Sequence, residues 1–202
     1  MHSTQEDDID KAPKPVVLSA FNKIGLVGEI SEEASNEVIF AIISLKETLK
    51  AIAEEARENE ENEQDHEMEL FLSTPGGNAD DMFAIYDIMR MTREECDIKV
   101  TGIGKVMSAG VLLLAAGTKG KRRVGKNCRI MIHSVIGGHI GPMHQMLNEV
   151  TEFKKIQEQY VEALVEETNM SKTYLNRLLK KKVNVYLTAQ EAVDLGIADE
   201  II

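Results

Sequence analysis

The stretch Asp97-Ile-Lys-Val-Thr-Gly-Ile-Gly-Lys-Val-Met-Ser-Ala-Gly-Val-Leu-Leu-Leu-Ala-Ala-Gly117 carries the pattern around which the chain is organised. Its first part alternates, with Ile98 and Val100 apolar, which predicts a β-strand. Its second part is rich in leucine and alanine, which predicts a buried helix. Ser108 stands at the junction, where two interpretations are open. It is either an ordinary N-cap or a serine on a tight turn, beside helix amides that can bind a developing oxyanion.

Length, composition and charge limit what the chain can be. A chain of 202 residues with 43% hydrophobic residues is long enough for one domain with a sizeable core. We predict a flexible N-terminal arm over residues 1–15 and a single domain over residues 16–202. The net charge of -11 argues against a nucleic-acid partner, because such a partner requires a basic surface.

Cysteine usage and hydropathy bear on cofactors and localisation. Cys96 and Cys128 lack the spacing of a metal or redox site, so we expect a reducing compartment. The sequence indicates no metal and no organic cofactor. No apolar run reaches the ~18–20 residues that a spanning helix needs, so we expect no membrane partner. The N-terminus is acidic and does not resemble a signal peptide. Together these features predict a cytoplasmic protein.

Periodicity predicts alternating strands and helices along the rest of the chain. Strands are predicted over residues 24–28, 68–73, 98–104, 128–132, 183–187 and 197–202, and helices over residues 31–56, 79–91, 142–168, 171–182 and 189–195. The helix from residue 142 has a broad apolar stripe that includes Met146, Leu147 and Val150, which is typical of a helix that packs on one side. The charged segment 57–67 is interpreted as a solvated helix end or loop.

Three local features together indicate acyl-transfer chemistry. The turn Thr74-Pro-Gly-Gly-Asn78 follows a strand, and its glycines can present bare main-chain N–H groups. Taken alone, this turn is a simple connection and His133, at the end of a strand, is as often structural as catalytic. Combined with Ser108 at a helix start, they form the set of a nucleophile, a base and oxyanion donors.

The order of the motifs resembles the ClpP family of serine peptidases over roughly residues 24–202. The motifs are Thr74-Pro-Gly-Gly77, Ala84-Ile-Tyr-Asp87, Gly104-Lys-Val-Met-Ser-Ala-Gly110, Leu114-Ala-Ala-Gly117, Lys119-Gly-Lys121, Arg129-Ile-Met-Ile-His133, Gly137-Gly138, Tyr186-Leu-Thr-Ala-Gln-Glu-Ala192 and Gly196-Ile-Ala-Asp199. The separation of Ser108 from His133 also fits. The combination is specific, although Pro-Gly-Gly or Ser-Ala-Gly alone is weak.

The resemblance implies an α/β fold and an assembly. The fold is the ClpP/crotonase-like spiral of repeated strand-strand-helix units, with a long protruding handle helix that begins at residue 142. The handle is the element by which two rings of a homo-oligomer stack. The substrate is an unfolded polypeptide, and an AAA+ unfoldase ATPase is a possible partner.

The resemblance also implies the site residues. Ser108 is the nucleophile, His133 is the general base and then the acid, and the amides of Gly77 and Ala109 form the oxyanion hole. The resemblance further assigns three residues to substrate binding, which are Asn78, Ile136 and Gly137. They border a groove in which a peptide adds as a strand.

The sequence departs from the family pattern in three places. Asn184 stands where the family usually has an aspartate; it can orient an imidazole but cannot stabilise an imidazolium with a full charge, so we expect slower chemistry from the resulting Ser-His-Asn triad. The region 46–68 is longer and more acidic than usual. The N-terminal arm does not match the axial loop of the family, which bears on docking to an ATPase.

Three functions are therefore carried forward. The first is a ClpP-type serine endopeptidase that cuts unfolded chains inside a ring-shaped homo-oligomer. The second is a catalytically weak or inactive ClpP-like structural or regulatory ring subunit, which Asn184 motivates. The third is a crotonase-type acyl-CoA enzyme, against which the serine–histidine pair argues.

Overall fold

The computed structural model of the chain describes residues 16–20, 22–59, 67–180 and 184–202. Its elements in chain order are β1 (Val16–Ala20), β2 (Lys23–Val27), α1 (Glu32–Glu58), β3 (Glu67–Thr74), α2 (Ala79–Thr92), β4 (Asp97–Met107), α3 (Ala109–Ala115), β5 (Arg122–Val124), β6 (Arg129–Ile132), α4 (Met143–Glu167), α5 (Lys172–Leu179), β7 (Val185–Leu187), α6 (Ala189–Asp194) and β8 (Glu200–Ile201). The predicted arm over residues 1–15 and most of the charged segment 57–67 lie outside the described residues.

The strands form one eight-stranded sheet. The order is β1-β2-β3-β4-β5-β8, and β6 pairs with β4 on one side and β7 on the other. Most neighbours run parallel, whereas β1 with β2 and β6 with β7 run antiparallel. Strands and helices that alternate along the chain give parallel pairs through helical crossovers, and the α/β fold class predicted from the sequence is confirmed.

The long strand β4 changes partner along its length. Val100 to Gly102 pair with β5, whereas Lys105 to Met107 pair with β6. The register against β3 shifts between these two parts, and Gly104 has a φ of 65°. An irregularity of this kind bends a strand. After the irregularity the end of β4 still pairs with β3, through Val106 and Thr74, and has β6 in place of β5 on its other side.

The core lies between the sheet and the helices. On β3 every second residue is buried, as period-2 alternation requires, and these residues are Met68, Leu70, Leu72 and Thr74. All residues of α3 are buried, which agrees with the prediction of a buried helix after Ser108. In the described part of the chain no helix is both long and apolar enough to cross a membrane.

The helix α4 has two halves with different surroundings. Buried residues occur only in the C-terminal half: Tyr160, Val161, Ala163, Leu164 and Glu167. In the N-terminal half, Met143 is 77% exposed and Leu147 is 58% exposed. The apolar side chains of this half find no covering surface among the described residues, because it extends beyond the sheet. The helix therefore protrudes as the predicted handle does.

Candidate functional site

A cleft of about 410 Å³ opens where the ends of β3, β4 and β6 come together. It is lined by six of the residues predicted from the sequence: Gly77, Asn78, Ser108, Ala109, His133 and Ile136. Parallel strands expose their carboxyl ends at one edge, which explains why residues far apart in sequence meet here. Its size is that of a small ligand site or of a pocket for one side chain of a longer ligand.

Ser108 has a strained main chain. Its φ of 54° and ψ of −121° make it the one non-glycine residue with positive φ among the described residues. Such a conformation costs about 1–3 kcal/mol and persists only where the surroundings impose it. Here the Ser108 N–H donates to the Met131 carbonyl at 2.8 Å, and the Val111 N–H donates to the Ser108 carbonyl at 3.0 Å.

The side chain of Ser108 does not cap the helix. An N-cap residue has β-region dihedrals and accepts a hydrogen bond from the first turn. Ser108 has neither feature, whereas Ser31, Ser171 and Thr188 show both at the starts of α1, α5 and α6. The structure thus decides against the N-cap interpretation. The hydroxyl of a serine on a sharp strand-to-helix turn is presented to the cleft, which suits a nucleophile.

The turn after β3 presses against Ser108. Gly76 has a φ of 101°, and a Cβ built on it would lie 2.6 Å from the Cβ of Ser108. The buried hydroxyl of Thr74 holds the turn, because it accepts from the Gly76 N–H at 3.0 Å and donates to the Gly76 carbonyl at 3.3 Å. The turn is therefore more than a connection between strand and helix, since only glycine permits this approach to the serine.

Gly77 and Ala109, which line the same cleft, each have a main-chain N–H that the surrounding secondary structure does not use. Ile30 forms a parallel bridge with Gly77, in which the Ile30 N–H donates to the Gly76 carbonyl at 2.9 Å and the Asn78 N–H donates to the Ile30 carbonyl at 2.9 Å. The Gly77 N–H takes no part in this bridge. Ala109 is the first residue of α3, so its N–H has no intrahelical partner. Such donors are suited to a negatively charged oxygen that develops on a substrate carbonyl.

His133 follows β6, which pairs in parallel with the end of β4. The ring is half-buried, and its Nδ1 lies 2.5 Å from the carbonyl oxygen of Ser134. A carbonyl oxygen only accepts, so this contact assigns the proton to Nδ1 and leaves Nε2 as an acceptor. A neutral imidazole in this tautomer can take a proton from a hydroxyl.

Asn184 and Gly137 lie outside the lining of the cleft. The antiparallel ladder of β6 and β7 ends at the pair of Ile132 with Val185, so His133 comes directly after β6 and Asn184 directly before β7. Its side chain is exposed, and within the described residues it makes no hydrogen bond to His133. At Gly137 a Cβ would lie 2.4 Å from the ring of Phe153, so the glycine lets α4 approach the loop.

The other two residues assigned to substrate binding lie at the rim. Ile136 is 80% exposed. The Asn78 side chain accepts from the Asp80 N–H at 2.7 Å and from the Asp81 N–H at 3.2 Å, so its oxygen caps α2. The Asn78 main chain, by contrast, helps to fix the Gly77 turn through Ile30.

Sequence reasoning missed the contribution of α4 to the cleft. Phe153, Ile156 and Tyr160 line it, and the Gln157 side chain accepts from the Val135 N–H at 3.2 Å. The sequence pattern identified Phe153, Ile156 and Tyr160 only as members of an apolar stripe, and it did not single out Gln157. The presence of two aromatic residues in one stripe, in a chain with four tyrosines and five phenylalanines, was the available signal.

The thiols of the chain do not compete with Ser108 for the role of nucleophile. Cys96 and Cys128 are buried, and neither lines the cleft. Burial raises the pKa of the Cys128 thiol to about 11, and burial is also the main cause that raises the pKa of Cys96. A thiol must become a thiolate to attack, which these environments oppose.

A family model described as Clp protease matches residues 17–202. The chain belongs to the Clp protease family, and its mixed α/β architecture, with a parallel sheet and a protruding helix, is consistent with the ClpP fold.

Proposed function

We propose that this member of the Clp protease family is a serine endopeptidase that cuts unfolded polypeptides, with Ser108 as the nucleophile. The observation that carries the proposal is the strained turn at Ser108, which turns the residue away from a capping role and into a cleft that also holds His133. Strain of this kind concentrates at functional sites.

The chemistry follows from the groups that line the cleft. The Ser108 oxygen attacks the carbonyl carbon of a peptide bond while Nε2 of His133 takes its proton. The N–H groups of Gly77 and Ala109 donate to the oxyanion of the tetrahedral intermediate. The C–N bond then breaks, His133 returns the proton to the leaving amine, and water releases the acyl group from Ser108 by the reverse steps.

Asn184, the residue before β7, completes the proposed triad. The last pair of the β6–β7 ladder, Ile132 with Val185, supports this role, because it joins the two chain segments next to His133 and Asn184. An amide in this place adds to the hold of the Ser134 carbonyl on the imidazole but does not compensate its positive charge, so the enzyme works more slowly than one with a carboxylate there.

A ring-shaped homo-oligomer with stacked rings is part of the proposal, as is an AAA+ unfoldase ATPase as a possible partner. It is supported by the first half of α4 and the loop before it, where Met143, Leu147 and the fully exposed Ile140 have no covering surface among the described residues. Large exposed apolar side chains grouped on one element are typical of an interaction surface. A polypeptide substrate would add as a strand beside Gly137, whose neighbours 133–140 form no strand of their own.

A second candidate function is a structural or regulatory ring subunit with weak or no activity. The observation that favours it is the exposed Asn184, which makes no hydrogen bond to His133 among the described residues. It predicts an assembled ring in which Ser108 does not react.

Fluorophosphonate labelling of the purified protein, read on a native gel, tests the proposal. We expect labelling of a high-mass band that disappears in Ser108→Ala, with Ser44→Ala as the matched control, since Ser44 is an exposed serine on α1 that should leave labelling intact. The loss of Ser108 should lower peptidase activity by at least about 10⁴-fold, as for other serine nucleophiles. An assembled ring that does not label, or a variant that keeps full activity, contradicts the endopeptidase proposal.

A further inference from the structure

A buried tyrosine on the handle helix contacts the main chain of the nucleophile. The hydroxyl of Tyr160 donates to the carbonyl oxygen of Ser108 at 3.0 Å. The residue is 5% exposed and also lines the cleft. Within the described residues this is the one hydrogen bond from a side chain to the Ser108 main chain, and it connects two segments 52 positions apart.

This contact determines the direction of another group. The carbonyl of Ser108 and the N–H of Ala109 belong to the same peptide unit, which is planar and trans, so they point in opposite directions. A hydrogen bond that fixes the carbonyl therefore fixes the direction of the Ala109 N–H. Hydrogen bonding at the oxygen also polarises the peptide unit, which makes the N–H a stronger donor.

Two donors converge on the Ser108 carbonyl. The Val111 N–H donates from the first turn of α3 at 3.0 Å, and the Tyr160 hydroxyl donates from α4 at the same distance. The first bond belongs to the helix itself, and a peptide unit held at one point can still tilt. The second bond comes from a separate element and restrains that tilt, although the main chain at Ser108 is strained.

We propose that Tyr160 is a positioning residue for the oxyanion hole, which holds the Ser108–Ala109 peptide unit so that the Ala109 N–H points into the cleft. This inference rests on the proposed peptidase function. The sequence pattern identifies Tyr160 only as a core residue of an apolar stripe, whereas this inference assigns a role to its hydroxyl.

The phenol is suited to act as a permanent donor. Burial raises the pKa of the Tyr160 hydroxyl well above its ordinary value, so the group keeps its proton at neutral and moderately alkaline pH. The bond therefore does not weaken as the pH rises through neutrality.

The chain contains a matched control in Tyr86. This residue is 3% exposed, and its hydroxyl donates to Oε1 of Glu167 at 3.0 Å. It does not line the cleft. Tyr86→Phe and Tyr160→Phe each remove one buried hydroxyl and keep the ring. The two variants differ in the acceptor that loses its donor, which is the Glu167 carboxylate in the first and the Ser108 carbonyl in the second.

The experiment measures kcat and KM for a fluorogenic peptide, the rate constant of fluorophosphonate labelling, and the unfolding temperature, for the full-length protein and both variants. Removal of an oxyanion donor costs about 10²–10³ in kcat, and a donor that is only misaligned should lose part of this, so we expect Tyr160→Phe to lower kcat about 10-fold. KM should stay within about 2-fold, because a contact made to the developing oxyanion acts on the transition state. The labelling rate constant should fall in parallel, since the phosphonyl oxygen occupies the same hole.

Each outcome has a distinct meaning. Tyr86→Phe should lower the unfolding temperature and leave kcat within about 2-fold of the wild type. If the wild-type protein labels but Tyr160→Phe labels at the wild-type rate, the inference is wrong and the proposed function stands. Equal losses of kcat in both variants, in step with their unfolding temperatures, would also overturn it, because they indicate a merely structural role. A wild-type protein that does not label overturns the proposed function and the inference together.

Discussion

The polar residues around Glu167 and those in the cleft use their hydrogen-bonding capacity differently. The cluster around Glu167 is paired throughout: its carboxylate accepts from Arg93 at 2.7 and 3.0 Å and from Tyr86 at 3.0 Å. Arg122, also buried, is bidentate to Asp199 and donates to three main-chain carbonyls, those of Ala115, Glu167 and Gly196.

In the cleft, by contrast, donors and acceptors remain available to a ligand. The Gly77 N–H is not used by the bridge to Ile30, the Ala109 N–H has no partner within its helix, and the Nδ1 contact of His133 leaves Nε2 as an acceptor. Buried polar groups normally find partners inside the protein, so groups left available in a cleft mark the place where a ligand completes them. We therefore expect substitutions in the Glu167 cluster to change stability and those in the cleft to change activity.

The largest effect of this kind is expected at Glu167. Glu167→Ala leaves the hydroxyl of Tyr86 without its acceptor and the guanidinium of Arg93 with only the Gly117 carbonyl. Breaking a buried pair in this way typically costs about 3–5 kcal/mol of the free energy of unfolding. Urea unfolding at pH 7 measures the loss, while the peptidase rate per folded molecule should stay unchanged.

The control for Glu167 is a surface ion pair. Glu152 contacts Lys155 at 2.7 Å with both side chains exposed, so Glu152→Ala should cost less than about 0.5 kcal/mol. Equal losses in the two variants would contradict the distinction between the buried cluster and the surface.

The sequence predicted the parts of this comparison that depend on local pattern. Alternation predicted β4, the leucine-rich run predicted α3, and the capping box predicted α6, whose N-cap Thr188 and Glu191 bond each other's main chain as expected. Ser108 was identified as special because it stands between two patterns of different period. Local signals suffice for such features, because the interactions that form them lie within a few residues.

Features that depend on distant contacts were not predicted. Nothing in the stretch after Gly102 indicates that β4 exchanges β5 for β6, since this depends on where the two strands lie in space. An apolar stripe alone likewise does not reveal where the sheet beneath it ends, and the exposure of Met143 and Leu147 fits the protruding handle that the family resemblance implied. The resemblance to a known family supplied the proposed roles of Gly77 and Asn184, which no local pattern distinguishes from a turn residue and a surface amide.

The next largest effect should come from the turn that presses against the nucleophile. Gly76→Ala adds strain at a φ of 101° and a Cβ at 2.6 Å from Ser108, so we expect Ser108 to move and kcat to fall about 100-fold, as misplacement by about 1 Å does elsewhere. Peptidase kinetics and urea unfolding, measured on the same samples, separate the two contributions.

Gly120 provides the control for this substitution. It has a similar φ of 83°, but a Cβ there would meet nothing within 4 Å. The backbone strain of Gly120→Ala should therefore lower the free energy of unfolding by about 1–2 kcal/mol and leave kcat unchanged. If both variants keep full activity, the close approach of the turn to Ser108 has no catalytic importance.

A smaller effect is expected on stability at acidic pH, and it comes from the Glu167 cluster. Burial raises the pKa of Glu167, but the hydrogen bonds and charge of Arg93 outweigh it, so the pKa lies below the ordinary 4.5. The folded state then binds its proton less readily than the unfolded state does. The stability from this group is fully present above about pH 5 and is lost as the pH falls from the ordinary pKa towards the lowered one, by at most about 1.4 kcal/mol per pH unit.

Glu167→Gln tests this dependence because the amide does not titrate. Urea unfolding from pH 7 to pH 3 should show a difference between the wild type and the variant that shrinks as the pH falls. A constant difference would mean that Glu167 does not carry the linkage. Asp199, whose pKa is lowered mainly by Arg122 against the effect of burial, continues to titrate in both proteins.

The smallest effect is expected at Asn184, and its size tests how far the activity of the cleft depends on this side chain. The Ser134 carbonyl already holds Nδ1 of His133, so Asn184→Ala should lower kcat by only about 10-fold, far less than the ~10⁴-fold known for a wrong tautomer. Asn184→Asp should raise kcat, because a carboxylate near His133 stabilises the imidazolium that forms during attack. Labelling rates across pH 6–9 measure both. A loss in Asn184→Ala as large as that in Ser108→Ala would mean that the side chain of Asn184, and not the Ser134 carbonyl, orients the base in the working enzyme.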